Sequence, residues 1–268
     1  MFFICISSAW PSLGASVVNS VWKVDIGRTT FRAGREDSLP GKAHRLSIRN
    51  VIVVGGTGDI GHAVTHKLRA EGMRVLCASN DVAAETPDSL HVDVTSEDSV
   101  VSLFNRAESV LGPLSVLVNC SGFGAFTPVH ETSLEDWRKT VDVNLTGTFL
   151  CAREAVRRMR STGGGRLIHI GSVSDHLTLP MNGAYAASKH GVRGLTGVLN
   201  EEGKAHGIRA TLVSLGAVYT SFWKSRPEFS PADMLSVDDV AQCIWEIATK
   251  PLNVRVDEVR LVPPRGVL

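Results

Sequence analysis

The chain has 268 residues, 43% of them hydrophobic, and a formal net charge of +1 at pH 7. This length and composition are typical of one globular domain with an appendage. The near-neutral charge offers no basic surface for nucleic acid or an anionic membrane, and no stretch approaches the roughly 18 apolar residues of a membrane span, so we expect neither as a partner.

The beginning of the chain, residues 1–47, differs from the rest. It is mildly apolar up to Trp22 and then turns basic, and no positive charge precedes the apolar run as a secretory signal would require. We predict a poorly ordered N-terminal extension without identifiable chemistry, followed by one folded domain over residues 48–268. An organellar transit peptide is the alternative, against which Asp25, Glu36 and Asp37 count.

The spacing of cysteines and histidines argues against disulfides and metal sites. The five cysteines are odd in number and scattered, and none forms a CxxC pair. This pattern predicts reduced thiols and hence a cytoplasmic protein. His62 and His66 stand four residues apart, but no acidic or cysteine partner follows at a recognisable spacing. We therefore expect no metal.

From Asn50 onward, short apolar runs alternate with stretches of helical periodicity. Strands are predicted at Val51–Val54, Arg74–Ser79, Leu90–Val94, Leu114–Asn119, Arg166–Ser172, Arg209–Leu215 and Glu258–Val262. Helices are predicted at Ile60–Glu71, Ser96–Leu111, Leu134–Arg160, Ala184–Ala205 and Val237–Thr249. Continuous apolar strands are typical of a parallel sheet covered on both faces. We therefore predict a single-domain α/β fold, a doubly wound seven-stranded parallel sheet flanked by helices (a Rossmann fold).

A glycine-rich turn, Gly55–Gly61, follows the first strand directly and opens the first helix. Its pattern Gly-x-Gly-x-x-Gly lets the backbone approach a pyrophosphate, whose charge is stabilised at the helix N-terminus. A plain glycine-rich connection is the alternative. The position after the first strand favours a dinucleotide site, for which the predicted contacts are Gly55, Thr57, Gly58, Asp59, Ile60 and Gly61.

The end of the second strand bears on the choice of dinucleotide. An NAD enzyme carries Asp or Glu here against the ribose 2′-hydroxyl, whereas this chain has Ser79 at the aligned position. The missing carboxylate favours NADP(H) over NAD(H), although no arginine stands beside Ser79 to bind a 2′-phosphate. Asp81 is the alternative ribose ligand, and its approach would reverse this preference.

Tyr185 and Lys189 are four residues apart on a predicted helix, so their side chains share one face. An ammonium beside a phenol stabilises the phenolate, which makes Tyr185 a candidate general acid and base. Ser172, at the carboxyl end of the fifth strand, has a hydroxyl that can hold a carbonyl oxygen, and the amide of Asn144 can hold a water towards Lys189. Taken singly, Ser172 is equally well a strand-end cap and Asn144 a polar helix residue.

These motifs occur together in the order and spacing of the short-chain dehydrogenase/reductase family, which residues 48–268 resemble. The motifs are Gly55–Gly61, Asp93-Val94, Asn119-Cys-Ser-Gly122, Asn144, Ser172, Tyr185-x-x-x-Lys189 and Leu215-Gly-x-x-x-Thr220. The resemblance implies that Asp93 and Val94 hold the adenine, and that Asn119, Ser121 and Gly122 border the adenosine ribose. It further implies that Val218 and Thr220 hold the nicotinamide carboxamide. We also expect Lys189 to donate hydrogen bonds to the nicotinamide ribose hydroxyls. Similar proteins pair helices across a two-fold axis, which implies a homodimer or homotetramer.

The function predicted for residues 48–268 is an NAD(P)-dependent oxidoreductase that interconverts an alcohol and a ketone or aldehyde by hydride transfer. An NADP(H)-binding regulatory or sensor protein is one alternative, and a family member that isomerises or epimerises is another. Apolar walls around the predicted site favour a small hydrophobic substrate. The residues expected to line these walls are Phe123, Phe126, His176, Leu177, Leu179, Met181 and Trp223.

Overall fold

The computed structural model describes residues 49–224, 226 and 229–266. The predicted extension over residues 1–47 lies outside the described residues. Within the described part of the chain, no helix combines the length and apolar character needed to cross a bilayer.

The described residues form a seven-stranded sheet in which every neighbouring pair is parallel. The strands are β1 (Asn50–Val54), β2 (Arg74–Ser79), β3 (Ser89–His91), β4 (Val116–Asn119), β5 (Gly165–Ile170), β6 (Ile208–Leu215) and β7 (Glu258–Leu261). Their order is β3-β2-β1-β4-β5-β6-β7. The chain adds β2 and β3 on one side of β1 and β4 to β7 on the other side. Doubly wound folds bind ligands at this switch point, between β1 and β4. The predicted fold class is confirmed.

Within the residues that the structure describes, six α-helices cover the two faces of the sheet. They are α1 (Asp59–Ala70), α2 (Glu97–Leu111), α3 (Leu134–Val141), α4 (Gly147–Met159), α5 (Gly183–Gly203) and α6 (Val237–Thr249). One apolar core joins the sheet to α2, α4 and α5, and the other joins it to α1 and α6. Central strands are buried on both faces, which explains why they read as continuous apolar runs.

The start of α6 and one short 3-10 turn are fixed by the same capping arrangement. Ser236 begins α6, where its hydroxyl accepts a hydrogen bond from the Asp239 backbone amide at 3.0 Å and the Asp239 carboxylate binds the Ser236 backbone in return. Ser172 and Asp175 form the second such box around a single 3-10 turn, Val173–Asp175. The two boxes provide a matched pair, because only the second contains a residue of the candidate site, Ser172.

The long helix predicted over Leu134–Arg160 is wrong in one respect, because the structure divides it. Between α3 and α4 the chain adopts a π-helix over Asp142–Thr146, with hydrogen bonds spaced one residue wider than in an α-helix. Asn144 lies in its centre and is 1% exposed. The wider turn displaces this asparagine from a regular helical position towards the neighbouring loop.

Candidate active site

Two adjoining cavities open at the carboxyl edge of the sheet. The first, which we call the glycine-turn cleft, has a volume of about 380 Å³ and is bordered by Thr57, Asp81 and Asp93. The second, the tyrosine cleft, has a volume of about 370 Å³ and contains Ser172, Tyr185 and Lys189. Both are lined by the loop Cys120–Phe123 after β4, so a single extended ligand can occupy both.

The glycine turn is shaped by close backbone approach. Gly55 has a φ of +72°, and a Cβ atom there would lie 2.6 Å from the Ser121 backbone nitrogen. A Cβ atom at Gly61 would overlap the Gly55 carbonyl oxygen and lie 2.8 Å from the Gly56 Cα. Gly58 begins α1 without a side-chain cap, so the backbone amides of the first turn stay available to an anion.

Asp81 lines the glycine-turn cleft beside Ser79, the position that aligns with the acidic residue of NAD enzymes. Its Oδ1 accepts hydrogen bonds from the Thr57 hydroxyl and, at 2.7 Å, from the Ser79 hydroxyl. These two hydroxyls, Thr57 first, hold the pKa of the Asp81 carboxyl below its ordinary value. A negative charge therefore stands at the end of β2, as the alternative interpretation of Asp81 as the ribose ligand requires.

Asp59 does not face either cleft. Its carboxylate accepts hydrogen bonds from the Ser221 backbone amide at 2.8 Å and from the Ser221 hydroxyl at 2.6 Å, and these lower its pKa. It thus ties the glycine turn to the segment after Thr220. Gly61 also lines neither cleft, because it packs against the turn itself, whereas Ile60, Val218 and Thr220 line the tyrosine cleft.

The edge of β3 and the end of β4 border the glycine-turn cleft. Asp93 and Val94 both line it, and the Asp93 carboxylate accepts a hydrogen bond from the Thr95 amide at 2.9 Å. Asn119 is 2% exposed and donates to the Thr148 hydroxyl at 2.9 Å, while its Oδ1 accepts from the Ser121 amide at 3.1 Å. This side chain therefore fixes the loop that both cavities share.

Tyr185 and Lys189 lie on one face of α5, as their spacing predicts. The Lys189 ammonium is 5.5 Å from the centre of the Tyr185 ring and donates to the Ile170 carbonyl at 2.9 Å. Lys189 is 4% exposed. A buried ammonium with one backbone acceptor retains two hydrogens for other partners in the cleft.

Ser172 follows β5 and lines the tyrosine cleft. Its Oγ accepts a hydrogen bond from the Ser174 amide at 3.2 Å, so the cap interpretation holds. Because the hydroxyl acts as an acceptor there, its own hydrogen stays available for donation to a carbonyl oxygen in the cleft. The cap and the site role are therefore compatible.

The Asn144 amide bonds to protein groups, and not to a water as the sequence had led us to expect. Its Nδ2 donates to the Phe123 carbonyl at 2.8 Å and to the Ser188 hydroxyl at 3.0 Å, which uses both amide hydrogens. Its Oδ1 accepts from the Phe123 amide at 2.7 Å. Asn144 thus clamps the shared loop to α5, and the amide hydrogens are not free for a water.

His176, which was predicted to line the substrate site, does not line the tyrosine cleft. The 3-10 turn Val173–Asp175 directs it away from the tyrosine cleft, towards α5 and β7, where its Nε2 lies 2.8 Å from a Glu258 carboxylate oxygen. It also contacts Asp175 and Arg193. Leu177, Leu179 and Met181, in the same segment, likewise do not line the cleft, whereas Phe123, Phe126 and Trp223 do.

Aromatic rings form the outer wall of the tyrosine cleft. Phe126 stands 5.5 Å from the Tyr185 ring and 6.1 Å from Phe222, and Phe222 stands 5.2 Å from Trp223. Trp223 in turn lies 5.0 Å from Phe229. Phe222 was missed by the sequence reasoning, although its place beside Trp223 and after Thr220 could have indicated it.

Other ionisable groups near the cleft are held neutral by burial. Burial, with a smaller effect of Lys189, lowers the pKa of His169 to about 4, and burial raises the pKa of Cys120 to about 12. The described cysteines are all free thiols, namely Cys77, Cys120, Cys151 and Cys243. Among the described residues, no group of three or more His, Cys, Asp or Glu side chains could hold a metal ion.

Known proteins share this pattern and this fold. The model of the short chain dehydrogenase family matches residues 49–230. An uncharacterized oxidoreductase of Staphylococcus aureus (strain N315) is 27% identical over 230 residues, covering 81% of this chain and 98% of that protein. A short-chain type dehydrogenase/reductase of Picea abies is 33% identical over 199 residues, covering 66% and 73%. The structure of a metagenomic short-chain oxidoreductase in complex with NADP matches with a TM-score of 0.70 at 27% identity, covering 81% and 98%.

Proposed function

Because the chain belongs to the short chain dehydrogenase family of oxidoreductases, we propose that residues 48–268 interconvert an alcohol and a ketone or aldehyde with a nicotinamide dinucleotide. The observation that carries this proposal is the meeting of Ser172, Tyr185 and Lys189 in one cleft beside the glycine turn. A hydroxyl donor, a phenol and an ammonium at one point suit a reaction that moves a proton to or from oxygen.

The residues at the sheet edge fit such a dinucleotide. The uncapped N-terminus of α1 and the crowded glycines suit a pyrophosphate, which needs backbone amides and no intervening side chains. Asp93 and Val94 would hold the adenine, and Val218 and Thr220 the nicotinamide carboxamide. When bound, the nicotinamide supplies or accepts the hydride.

The proton is handled by the chain itself. In reduction the Ser172 hydroxyl holds the carbonyl oxygen while the Tyr185 hydroxyl donates a proton to it, and in oxidation Tyr185 takes that proton back. Lys189 stabilises the negative charge left on the phenol oxygen. Asn144 acts through position, since it fixes the loop that forms the shared wall of both clefts.

The proposal is tested by a screen of carbonyls and alcohols with NADH and NADPH, followed at the nicotinamide absorbance. We expect turnover of at least one hydrophobic ketone or alcohol. Tight dinucleotide binding without turnover of any compound would support the sensor alternative instead. Conversion of a compound into its isomer without net change in nicotinamide absorbance would support an isomerase or epimerase.

We propose NAD(H) as the preferred dinucleotide, which reverses the preference for NADP(H) drawn from sequence. Asp81 supports this choice, because a carboxylate accepts a hydrogen bond from a ribose 2′-hydroxyl and repels a 2′-phosphate. No arginine lines the described part of the glycine-turn cleft. The NADP bound by the metagenomic relative favours the opposite preference, and the same variant tests both.

Asp81→Asn is expected to tighten NADPH binding about tenfold and to weaken NADH binding a few-fold, because it removes a negative charge from the ribose site. Dissociation constants from nicotinamide fluorescence measure both effects. Asp88→Asn is the matched control, since this carboxylate pairs with Arg69 outside the cleft. Wild-type protein that binds NADPH more tightly than NADH would restore the sequence-based preference.

For the substrate, we propose a hydrophobic ketone or alcohol that carries an aromatic ring. The aromatic wall supports this class, because aromatic rings pack favourably edge to face, as Phe222 does with Phe126 at 6.1 Å and with Trp223 at 5.2 Å. Among the described residues that line the tyrosine cleft, the only charged side chain is Lys189. An anionic substrate therefore has no further cation to bind there.

Trp223→Ala is expected to raise the KM for an aryl ketone such as acetophenone by about five- to tenfold, while an aliphatic ketone of similar size loses about twofold or less. Steady-state kinetics with both ketones measure the difference. Val110→Ala serves as control, because Val110 is 39% exposed on α2 and does not line the cleft. Equal losses for both ketones would argue against an aromatic preference.

We further propose a cytoplasmic homodimer or homotetramer. Free thiols at the described cysteines are usual in a reducing compartment. Large apolar side chains are exposed on α3 and α4, among them Leu134, Trp137 and Phe149, which is common at subunit interfaces. Light scattering of the purified protein determines the number of subunits.

A further inference from the structure

Beneath Ser172 lies a carboxylate that the proposed reaction does not use. The Asp175 side chain is fully buried, in the 3-10 turn directly after β5. A buried carboxylate is costly unless hydrogen bonds and opposite charges compensate it. The groups that contact the Asp175 carboxylate therefore indicate its role in the structure.

Asp175 holds Ser172 at both backbone ends. Its Oδ2 accepts a hydrogen bond from the Ser172 amide at 3.0 Å. The Ser214 hydroxyl on β6 lies 2.8 and 2.9 Å from the two Asp175 carboxylate oxygens, and 2.9 Å from the Ser172 carbonyl oxygen. The Ser172 carbonyl also accepts a hydrogen bond from the Asp175 backbone amide at 2.8 Å. Asp175 therefore fixes the Ser172 backbone on its amide side through its carboxylate and on its carbonyl side through its own backbone amide.

The space around this carboxylate is tightly filled. A Cβ atom at Gly171 would overlap Asp175 Oδ2 and lie 3.0 Å from the Leu212 side chain. Only the absence of a side chain at Gly171 lets the carboxylate reach the Ser172 amide. The strand end, the carboxylate and the serine therefore form one rigid unit.

Charged side chains lead from Asp175 to the surface. His176 contacts the carboxylate, and the Arg193 guanidinium on α5 lies 4.0 Å from it. Glu258 on β7 joins both, at 2.8 Å from His176 and 3.0 Å from Arg193. These groups explain how a buried negative charge persists, and they account for the true position of His176.

We propose that Asp175 is a positioning residue, which orients the Ser172 hydroxyl towards the substrate oxygen by fixing the Ser172 backbone. This inference rests on the proposed function, since it needs Ser172 to contact the reacting carbonyl. Asp175 itself lines neither cleft. Its whole effect on turnover therefore passes through Ser172.

A double-mutant cycle tests this dependence. With an aryl ketone turned over by the wild type, Asp175→Asn is expected to lower kcat by about ten- to a hundredfold and to leave the dissociation constant for NADH within twofold. In a Ser172→Ala background, the same substitution should change kcat by about twofold or less. An equal loss in both backgrounds would overturn the inference.

Control variants separate positioning from stability. Asp239→Asn makes the same substitution in the capping box of α6, whose residues line neither cleft, and should leave kcat unchanged. If Asp175→Asn does not fold, Ser214→Ala replaces it, because it removes the hydroxyl between Asp175 and the Ser172 carbonyl and should show the same dependence on Ser172 with a smaller loss. A loss that Ser214→Ala shows equally in the Ser172→Ala background overturns the inference.

The outcomes distinguish this inference from the proposed function. A Ser172→Ala variant with wild-type kcat would remove Ser172 from the reaction, and both would fail. A Ser172→Ala variant with strongly reduced kcat beside a fully active, folded Asp175→Asn variant would leave the proposed function intact and remove only the role of Asp175.

Discussion

Tyr185→Phe is expected to lower kcat for the reduction of an aryl ketone by about 10²- to 10⁴-fold, the range typical of a lost general acid. Phenylalanine keeps the ring that packs 5.5 Å from Phe126 and lacks only the hydroxyl. The dissociation constant for NADH and the melting temperature should therefore stay close to wild type. Steady-state kinetics, nicotinamide fluorescence and thermal unfolding provide the three measurements.

The chain supplies its own control for this variant. Tyr219 is the second of two tyrosines, is 38% exposed and does not line the tyrosine cleft. Tyr219→Phe removes the same hydroxyl from a different place and should retain nearly full activity. A Tyr185→Phe protein within about threefold of wild type would remove the phenol from the proposed mechanism.

Gly61→Ala is expected to cause the largest loss of dinucleotide binding, at least about a hundredfold, together with a fall of about 1–3 kcal/mol in the free energy of unfolding. The new methyl group would overlap the Gly55 carbonyl oxygen and lie 2.8 Å from the Gly56 Cα. Both atoms belong to the backbone of the turn, so relief requires the turn to open. Denaturant unfolding and NADH titration measure the two effects.

Gly58→Ala is the matched control for stability. A Cβ atom at Gly58 would meet the Gly55 oxygen at an ordinary 3.6 Å, and its φ of −65° suits any residue. This variant should unfold at nearly the wild-type denaturant concentration, even if the added methyl group weakens pyrophosphate binding. A Gly61→Ala protein as stable as Gly58→Ala would contradict the close-packed turn.

The sheet could be predicted from sequence because each central strand is buried on both faces. Val51–Val54 and Leu114–Asn119, for example, contain continuous apolar runs that no exposed strand would need. The glycine turn and the pairing of Tyr185 with Lys189 are local patterns as well, since each lies within one turn or one helix. Such features depend on neighbours in the chain and can therefore be predicted from sequence.

The features that escaped prediction depend on distant partners. His176 is drawn out of the cleft by Arg193 and Glu258, which come from α5 and β7. The position of Asp81 depends on the Thr57 hydroxyl across the glycine turn. Neither contact leaves a periodic signal, because each joins residues whose separation along the chain is arbitrary.

The π-helix between α3 and α4 interrupts a regular helix and places Asn144 against the loop that both clefts share. A π-turn interrupts the regular hydrogen-bond pattern of an α-helix, and Asn144 at its centre bonds to the Phe123 amide at 2.7 Å and to the Ser188 hydroxyl at 3.0 Å. Selection for heat resistance alone would favour shortening this segment by one residue. Such a protein would have a continuous helix from α3 to α4 and would lose the hydrogen bonds by which Asn144 holds the loop shared by the glycine-turn cleft and the tyrosine cleft.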